Sequence, residues 1–561
     1  MQNLPELIRE LLSRRNIQGA GDLEKFLYPR LESLPHPSSM KGLSSAASKI
    51  CRAIENDIEI IVWGDYDVDG TTGTALLVNF FRELGVEIQY YIPNRLAEGY
   101  GLSGPRFLER FKNEVDSGAL LITVDCGISD RDAVGTIASA GCEVIVTDHH
   151  QMPIGGLPDC VVVNPNQPGC GFNGEMLAGV GVAFFLAVAV RSRLSEVGYF
   201  SSRPRPNLKQ YLGFVALGTI SDLVELTETN RILVKAGFEA LTDSSIPGIA
   251  SLLENAEISG GTITSEDISF SLGPRINAAG RLGVANVAVD LMVCDNMSVG
   301  ATLSSQLEKH NEKRKKLCEE CYNKTLDNDD RCLLIGKYSI VVSGDFHAGI
   351  IGIVASRIVE KFKKPTIVFA RERDPGGCFR YKGSGRSIPG VNILNCLHGC
   401  SDAISRYGGH GMAAGLTVEE TNFNSFARMF EEHAKLASKE RNLSELIQAS
   451  HDVECSIDDV MDDEFLKYFS LMEPFGPENE KPVFLDRQAS IVSCKAIGSD
   501  NQHLQMVLRG KYANHRAIGF GLGGMAADIR ASRKQEFYFT PMINRFRNKE
   551  TWQVRVISVS V

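Results

Sequence analysis

Three short apolar runs, residues 58–63, 119–124 and 142–147, each end in an acidic cluster and are each separated from the next by a helix-forming stretch. The clusters are Gly64-Asp65-Tyr66-Asp67-Val68-Asp69-Gly70, then Asp125-Cys126-Gly127, then Asp148-His149-His150. Runs this short and this uniformly apolar, rich in Ile and Val, belong to strands covered on both faces, and the intervening helical stretches supply the cover. The pattern predicts an α/β fold with a doubly wound parallel sheet. In such a sheet the ligand crevice opens beyond the carboxyl ends of the strands. All three acidic clusters fall there.

A single aspartate after a strand is ordinarily a helix N-cap. Capping does not call for an Asp-x-Asp-x-Asp array followed by acids on the next two strands and a His pair. A further acid, Asp222, follows a small-residue helical run at 214–221. Carboxylates brought this close cannot all stay ionised unless cations bridge them. Aspartate with imidazole, and no thiolate, suits Mn²⁺ or Mg²⁺. Two such cations about 3.5–4 Å apart would orient and activate a water and neutralise charge on a phosphorus centre.

The chain has 561 residues, too many for one core. Its 43% hydrophobic and 23% charged content is that of ordinary folded domains. Residues 1–45 read as a helical preamble ending in a Pro-rich turn. Residues 46–245 hold the acidic strand ends, and 246–330 form a linker with a long charged helix from about 298 to 327. A second α/β unit spans 331–450, with strands at 339–343 and 366–370 around a helix at 350–362. Residues 451–561 comprise an acidic helical bridge to 480 and then short alternating strands, which suggest an OB-like β-barrel.

The net charge of −10 argues against a protein coated in nucleic acid, but it is unevenly spread. Residues 481–561 carry thirteen Lys and Arg against five Asp and Glu, whereas 451–480 carry ten acids and one lysine. A basic terminal module is the electrostatic footprint of a nucleic-acid-binding domain. The fourteen cysteines are too sparse for a disulfide scaffold, and the first fifteen residues form an amphipathic helix rather than a secretory signal. The longest apolar run, 176–190, contains Gly179 and Gly181 and is too short to span a bilayer. A cytoplasmic chain with reduced thiols and no membrane partner is expected.

The four acidic segments, with Gly218-Thr219-Ile220-Ser221-Asp222 as the last, stand in the order of the motifs of the DHH phosphoesterase family, which the chain resembles along nearly its whole length. The similarity continues through Pro274-Arg275-Ile276-Asn277-Ala278-Ala279-Gly280-Arg281, His347-Ala348-Gly349-Ile350-Ile351-Gly352, Gly383-Ser384-Gly385-Arg386-Ser387 and Gly408-Gly409-His410-Gly411-Met412-Ala413-Ala414-Gly415. Together these resemble the members of the family that degrade single-stranded DNA.

The resemblance implies the following roles. Asp67, Asp125 and Asp222 would hold one divalent cation, Mn²⁺ or Mg²⁺, and Asp69, Asp125, His149 and Asp222 the other, with Asp65 a ligand or close support. Asp148 would orient its neighbours, and His150 would face the scissile phosphate. Asn277, Arg281, His347, Ser384, Arg386, Gly409 and His410 would contact the strand. One departure is Trp63, where some relatives carry a metal-ligating histidine, so the first cation would lean on Asp65. The implied activity is 5′-to-3′ hydrolysis of single-stranded DNA to mononucleotides in recombination and repair. The enzyme would be a monomer working beside a helicase and a single-strand-binding protein. Two alternatives stay open: a phosphodiesterase of short oligonucleotides or cyclic dinucleotides, and a non-catalytic DNA-binding scaffold.

Overall fold

The computed structural model describes residues 4–560 apart from 154, 173–175, 259–260, 327–332, 336, 374–376, 378, 440–449, 499–500, 533–534 and 547–548. The first sheet contains β1 (Ile60–Gly64), β2 (Gln89–Tyr91), β3 (Leu120–Val124), β4 (Glu143–Thr147) and β5 (Val161–Val163) in the order β2-β1-β3-β4-β5. All four pairings are parallel. Alternate side chains feed two separate cores. Ile60, Val62, Ile122, Val124 and Ile145 pack on one face, and Ile61, Trp63, Leu121, Val144 and Val146 on the other. Each such side chain contributes roughly 1.5–3 kcal/mol of burial. The strand order turns around at β1, whose neighbours are β2 and β3. The crevice of this doubly wound sheet therefore lies between β1 and β3.

The helix Val68–Glu83 starts directly behind β1 and is buried along nearly its entire length. Small residues allow that: a Cβ at Gly73 would lie 3.2 Å from the Val180 backbone, and one at Gly218 would lie 2.9 Å from Asp69 Oδ1. The helices Gly179–Glu196 and Leu212–Ser221 thereby close onto it.

A 30-residue helix, Met297–Leu326, leads to the second sheet. That sheet holds β6 (Leu333–Ile335), β7 (Ile340–Gly344), β8 (Thr366–Arg373), β9 (Phe379–Arg386), β10 (Arg406–Gly409) and β11 (Ala413–Glu419), ordered β10-β11-β9-β8-β7-β6. Cys318 and Cys321 of the long helix pack as apolar residues against Ile340, Val342 and Ile358. The third sheet contains β12 (Val453–Glu454), β13 (Phe484–Asp486), β14 (Ser490–Ile497), β15 (His503–Arg509), β16 (Asn514–Gly519), β17 (Glu536–Phe546) and β18 (Lys549–Ser560), ordered β12-β13-β17-β18-β16-β15-β14.

Residues 451–480 do more than bridge: they supply β12 and the helix Asp463–Leu471, whose Phe465, Leu466 and Phe469 share one core with Phe484, Phe537 and Val554 of the terminal strands. The N-terminal helices join them. Leu4, Ile8, Leu11, Leu12 and Leu27 lie in that same core, so the two ends of the chain fold as one body. Among the described residues, no helix is long and apolar enough to cross a membrane, and twelve cysteines are free thiols.

Candidate metal centre and nucleic-acid interface

The crevice between β1 and β3 collects the acids. Asp65 follows β1 and is buried. Asp67 does cap the next helix, accepting the Gly70 N–H at 3.1 Å, yet its carboxylate also approaches Asp65 and Asp125. Asp69, on the first turn, accepts the N–H groups of Gly179 and Val180 and so sits at the positive end of a second helix. Asp125, after β3, has left-handed backbone with φ +61°, a conformation that aspartate adopts more readily than most residues and that aims its carboxylate inward. Only glycine is tolerated opposite it, because a Cβ at Gly179 would lie 2.7 Å from the Asp125 Cβ. Asp222 arrives from the end of the helix Leu212–Ser221.

Three triads result: Asp65 with Asp67 and Asp125, Asp69 with His149 and Asp222, and Asp125 with His149 and His150. Within each, ligand atoms lie within 4.8 Å of one another. His149 Nε2 stands 3.1 Å from Asp125 Oδ1, 3.5 Å from Asp222 Oδ2 and 3.6 Å from Asp69 Oδ2.

The electrostatics are those of a site built for cations. Burial first, and then the charge of neighbouring aspartates, pushes Asp65, Asp69 and Asp125 well above the usual carboxylate range, and Asp222 up to about 7. Burial, helped by the charge of His150, pushes His149 down to about 4, and its Nε2 faces three carboxyl groups. Carboxylate oxygens with an imidazole nitrogen, and no thiolate, are the donors that Mn²⁺ and Mg²⁺ take. Asp65 Oδ1 is also buried with no hydrogen-bond donor among the described residues. The donor set thus fits hard divalent ions.

Asp148 faces the other way. It accepts the backbone N–H groups of Ile128, His149 and His150 and lies 2.7 Å from His150 Nδ1. Burial alone would raise its pKa, but His150 outweighs burial and holds it below the usual value. In return Asp148 outweighs the burial of His150 and pushes that imidazole up to about 9.

Basic groups from several elements gather beside this crevice: Arg95 acts on Asp65 and also on Arg281 and Arg386. Arg386, at the end of β9, donates to Ser384 Oγ at 3.1 Å. Both lie against Gly352 at the start of the helix Ile351–Phe362, where a Cβ would come 3.0 Å from each. Arg281 donates to Gly349 O at 3.3 Å, and His347 Nδ1 accepts the Gly349 N–H at 3.1 Å. Burial first, then Arg95, Arg314 and Arg386, pushes Arg281 down to about 10. Asn277 is half-buried on the helix Gly273–Arg281. Gly409 ends the edge strand β10 and His410 follows it; both are exposed, and among the described residues no contact links them to the acidic cluster.

Sequence reasoning missed Arg95, Arg314, Tyr66 and Tyr100. The Arg95 guanidinium lies 4.9 Å over the Tyr66 ring, and Tyr100 O–H lies 3.4 Å from the His150 ring. Arg95 and Tyr100 belong to the loop after β2, a strand too short to register as an apolar run. The crevice rule applied to that strand would have found them.

Known proteins share this architecture. Residues 59–219 match the model of the DHH family, N-terminal domain; residues 336–436 match the DHHA1 domain; and residues 451–558 match the RecJ OB domain. The single-stranded-DNA-specific exonuclease RecJ of Haemophilus influenzae is 34% identical over 566 residues, covering 98% of this chain and 95% of the relative. That of Bacillus subtilis is 30% identical, covering 100% of this chain and 68% of the relative. The crystal structure of RecJ from Thermus thermophilus in complex with Mn²⁺ superposes with a TM-score of 0.77 at 29% identity, covering 100% of this chain and 78% of that one. With three domain matches in order and a 34% identical relative aligned from end to end, the chain belongs to the RecJ family of DHH-domain proteins.

Proposed function

We propose that this chain is a metal-dependent exonuclease that hydrolyses single-stranded DNA from the 5′ end and releases 5′-mononucleotides. The observation that carries it is the convergence of Asp65, Asp67, Asp69, Asp125, His149 and Asp222 in one crevice, in a chain of this family. Asp67, Asp125 and Asp222, supported by Asp65, would hold one Mn²⁺ or Mg²⁺; Asp69, Asp125, His149 and Asp222 would hold the other. When bound, such a pair lowers the pKa of a water and neutralises charge on the phosphate.

The rest falls to the protein's own groups. Asp148 fixes the His150 ring, and His150 donates to a phosphate oxygen. Arg386, Ser384 and the N-terminus of the helix Ile351–Phe362 form an anion cradle. With Arg95, Arg281, Arg314, Asn277 and His347 it holds phosphates on the side of the crevice opposite the acids. Terminal phosphate held there would set the 5′ polarity. Lys495, Arg509 and Arg516 project from one outer face of β14, β15 and β16 and suit the trailing strand. Residues 46–245 then act as the hydrolytic domain and 331–450 as the phosphate-holding domain. Residues 451–561, joined by the N-terminal helices, hold the strand. We place the enzyme in the cytoplasm as a monomer, supplied by a helicase and a single-strand-binding protein.

The test is Mn²⁺-supported digestion of a long single strand labelled separately at each end, beside its blunt duplex and a dinucleotide. Mononucleotides released from the 5′ end with the duplex spared support the reading. Turnover of the dinucleotide alone would replace it with a small-substrate phosphodiesterase.

A further inference from the structure

Trp63 occupies the strand position where a metal-ligating histidine would stand, but its side chain serves the opposite face. It is fully buried among Tyr91, Phe107 and Leu102, with its ring 4.7 Å from Tyr91 and 6.4 Å from Phe107. Its one polar atom has a specific partner: Nε1–H donates to Gly101 O at 3.3 Å.

Gly101 belongs to a loop, residues 94–102, that is pinned at several points. Asn94 caps its start through the N–H groups of Leu96 and Ala97, at 2.9 and 3.2 Å. Glu98 accepts from Tyr91 O–H at 2.9 Å. Gly99 and Gly101 have φ of +88° and +90°, and Asp130 takes the Leu102 N–H at 2.7 Å. Between the two glycines stands Tyr100, half exposed, with its O–H 3.3 Å from the carbonyl oxygen of Asp125 and 3.4 Å from either ring nitrogen of His150. Asp125 is the acid with left-handed backbone. A donor on its carbonyl supports a conformation that the neighbouring chain must otherwise hold alone.

We infer that Trp63 is a positioning residue: its indole N–H fixes the Gly99–Gly101 turn so that the Tyr100 phenol reaches the backbone of Asp125 and the ring of His150. The inference rests on the hydrolytic reading of the crevice, and it deepens that reading by giving the loop after β2 a part in shaping the site. Trp63→Phe keeps an aromatic ring in the core and removes the donor. Asp130→Ala releases the other side of the turn without touching the core. Tyr100→Phe removes the phenol.

The experiment measures kcat, KM and the Mn²⁺ activation midpoint for these three variants and for Trp63→Phe combined with Tyr100→Phe. All are read as ratios to the parent chain on whichever phosphodiester it cleaves, so failure of the strand preference leaves the comparison standing. Loss of one hydrogen bond should lower kcat roughly tenfold in each single variant, with KM unchanged and any shift in the Mn²⁺ midpoint the same in all three. The double variant should fall no further than Tyr100→Phe alone. Parent-like kcat in both Trp63→Phe and Asp130→Ala, or additive losses in the double variant, would overturn the inference. A Mn²⁺ midpoint shifted in Trp63→Phe but not in Asp130→Ala or Tyr100→Phe would overturn it too, because the effect of position 63 would then bypass the turn. Should Trp63→Phe fail to fold, Asp130→Ala combined with Tyr100→Phe supplies the same cycle.

Discussion

The buried guanidinium of Arg231 donates to the carbonyl oxygen of Glu473 at 2.9 Å, across the junction between the DHH domain and the C-terminal body. The same side chain reaches Leu471 O and Met472 O, at 3.1 and 3.0 Å, and Phe26 O at 2.8 Å. Leu471 O, Met472 O and Glu473 O lie at the end of the helix Asp463–Leu471, at the negative pole of its dipole, and Phe26 O lies at the end of the helix Ala20–Leu27. Lys235, one turn further along, donates to Leu471 O and Leu27 O. One arginine thus ties together the N-terminal helices, the C-terminal body and the DHH domain.

Arg231→Ala should therefore destabilise the junction by about 3 kcal/mol or more, since it removes the side-chain donor to Glu473 O and Phe26 O and leaves Leu471 O and Met472 O to Lys235 and Asn479. Thermal unfolding should show a lowered or split transition, the C-terminal body separating first. An unchanged single transition would mean that the bodies do not depend on this contact.

The N-terminal helices should matter for the same reason. Leu11 is fully buried in the core shared with Phe469 and Phe484. Leu11→Ala should cost about 2–5 kcal/mol. The loss should appear as faster amide exchange in β13, β17 and β18 while β1, β3 and β4 stay protected. Faster exchange in the first sheet instead would contradict the assignment of this helix to the C-terminal core.

That packing marks where sequence reasoning stops. The first sheet was legible because β1, β3 and β4 are apolar on both faces and carry their acids at one end, a local pattern with a single spatial reading. Asp222 was legible by its motif, although only the tertiary fold brings it 3.5 Å from His149. The union of residues 4–27 with 453–559 has no local signature, because an amphipathic helix shows that it has an apolar face and not which partner covers it. Arg95 and Tyr100 were hidden for another reason: β2 is three half-exposed or exposed residues long and leaves no periodic trace.

The shared carboxylate makes the sharpest chemical prediction. Asp125 belongs to two of the three ligand triads, with Asp65 and Asp67 on one side and His149 and His150 on the other. Asp125→Ala should lower kcat by roughly 10³-fold or more, several kcal/mol of charge stabilisation being lost at once. Calorimetric titration with Mn²⁺ should show weakened binding at both sites, whereas Asp65→Ala should affect one. Substantial residual turnover would remove Asp125 from its bridging role.

The basic C-terminal face can be tested only with the domain intact, because deleting residues 481–561 would strip half of a core that also buries Leu4, Ile8 and Leu12. Three of its thirteen cations, Lys481, Arg545 and Arg555, pair with Glu266 and Asp267 and so contribute to docking, while Arg487 pairs with Glu454 and Glu536 inside the body. Lys495, Arg509 and Arg516 lie instead on the outward face of adjacent strands. Replacing these three with glutamine should leave the melting temperature unchanged and weaken long single strands. The slope of log affinity against log salt should become shallower by about 2, three lost phosphate contacts at roughly 0.7 each. Cleavage of very short strands, held by Arg386 and its neighbours alone, should be unaffected. An unaltered slope would move the strand to another face of the C-terminal body.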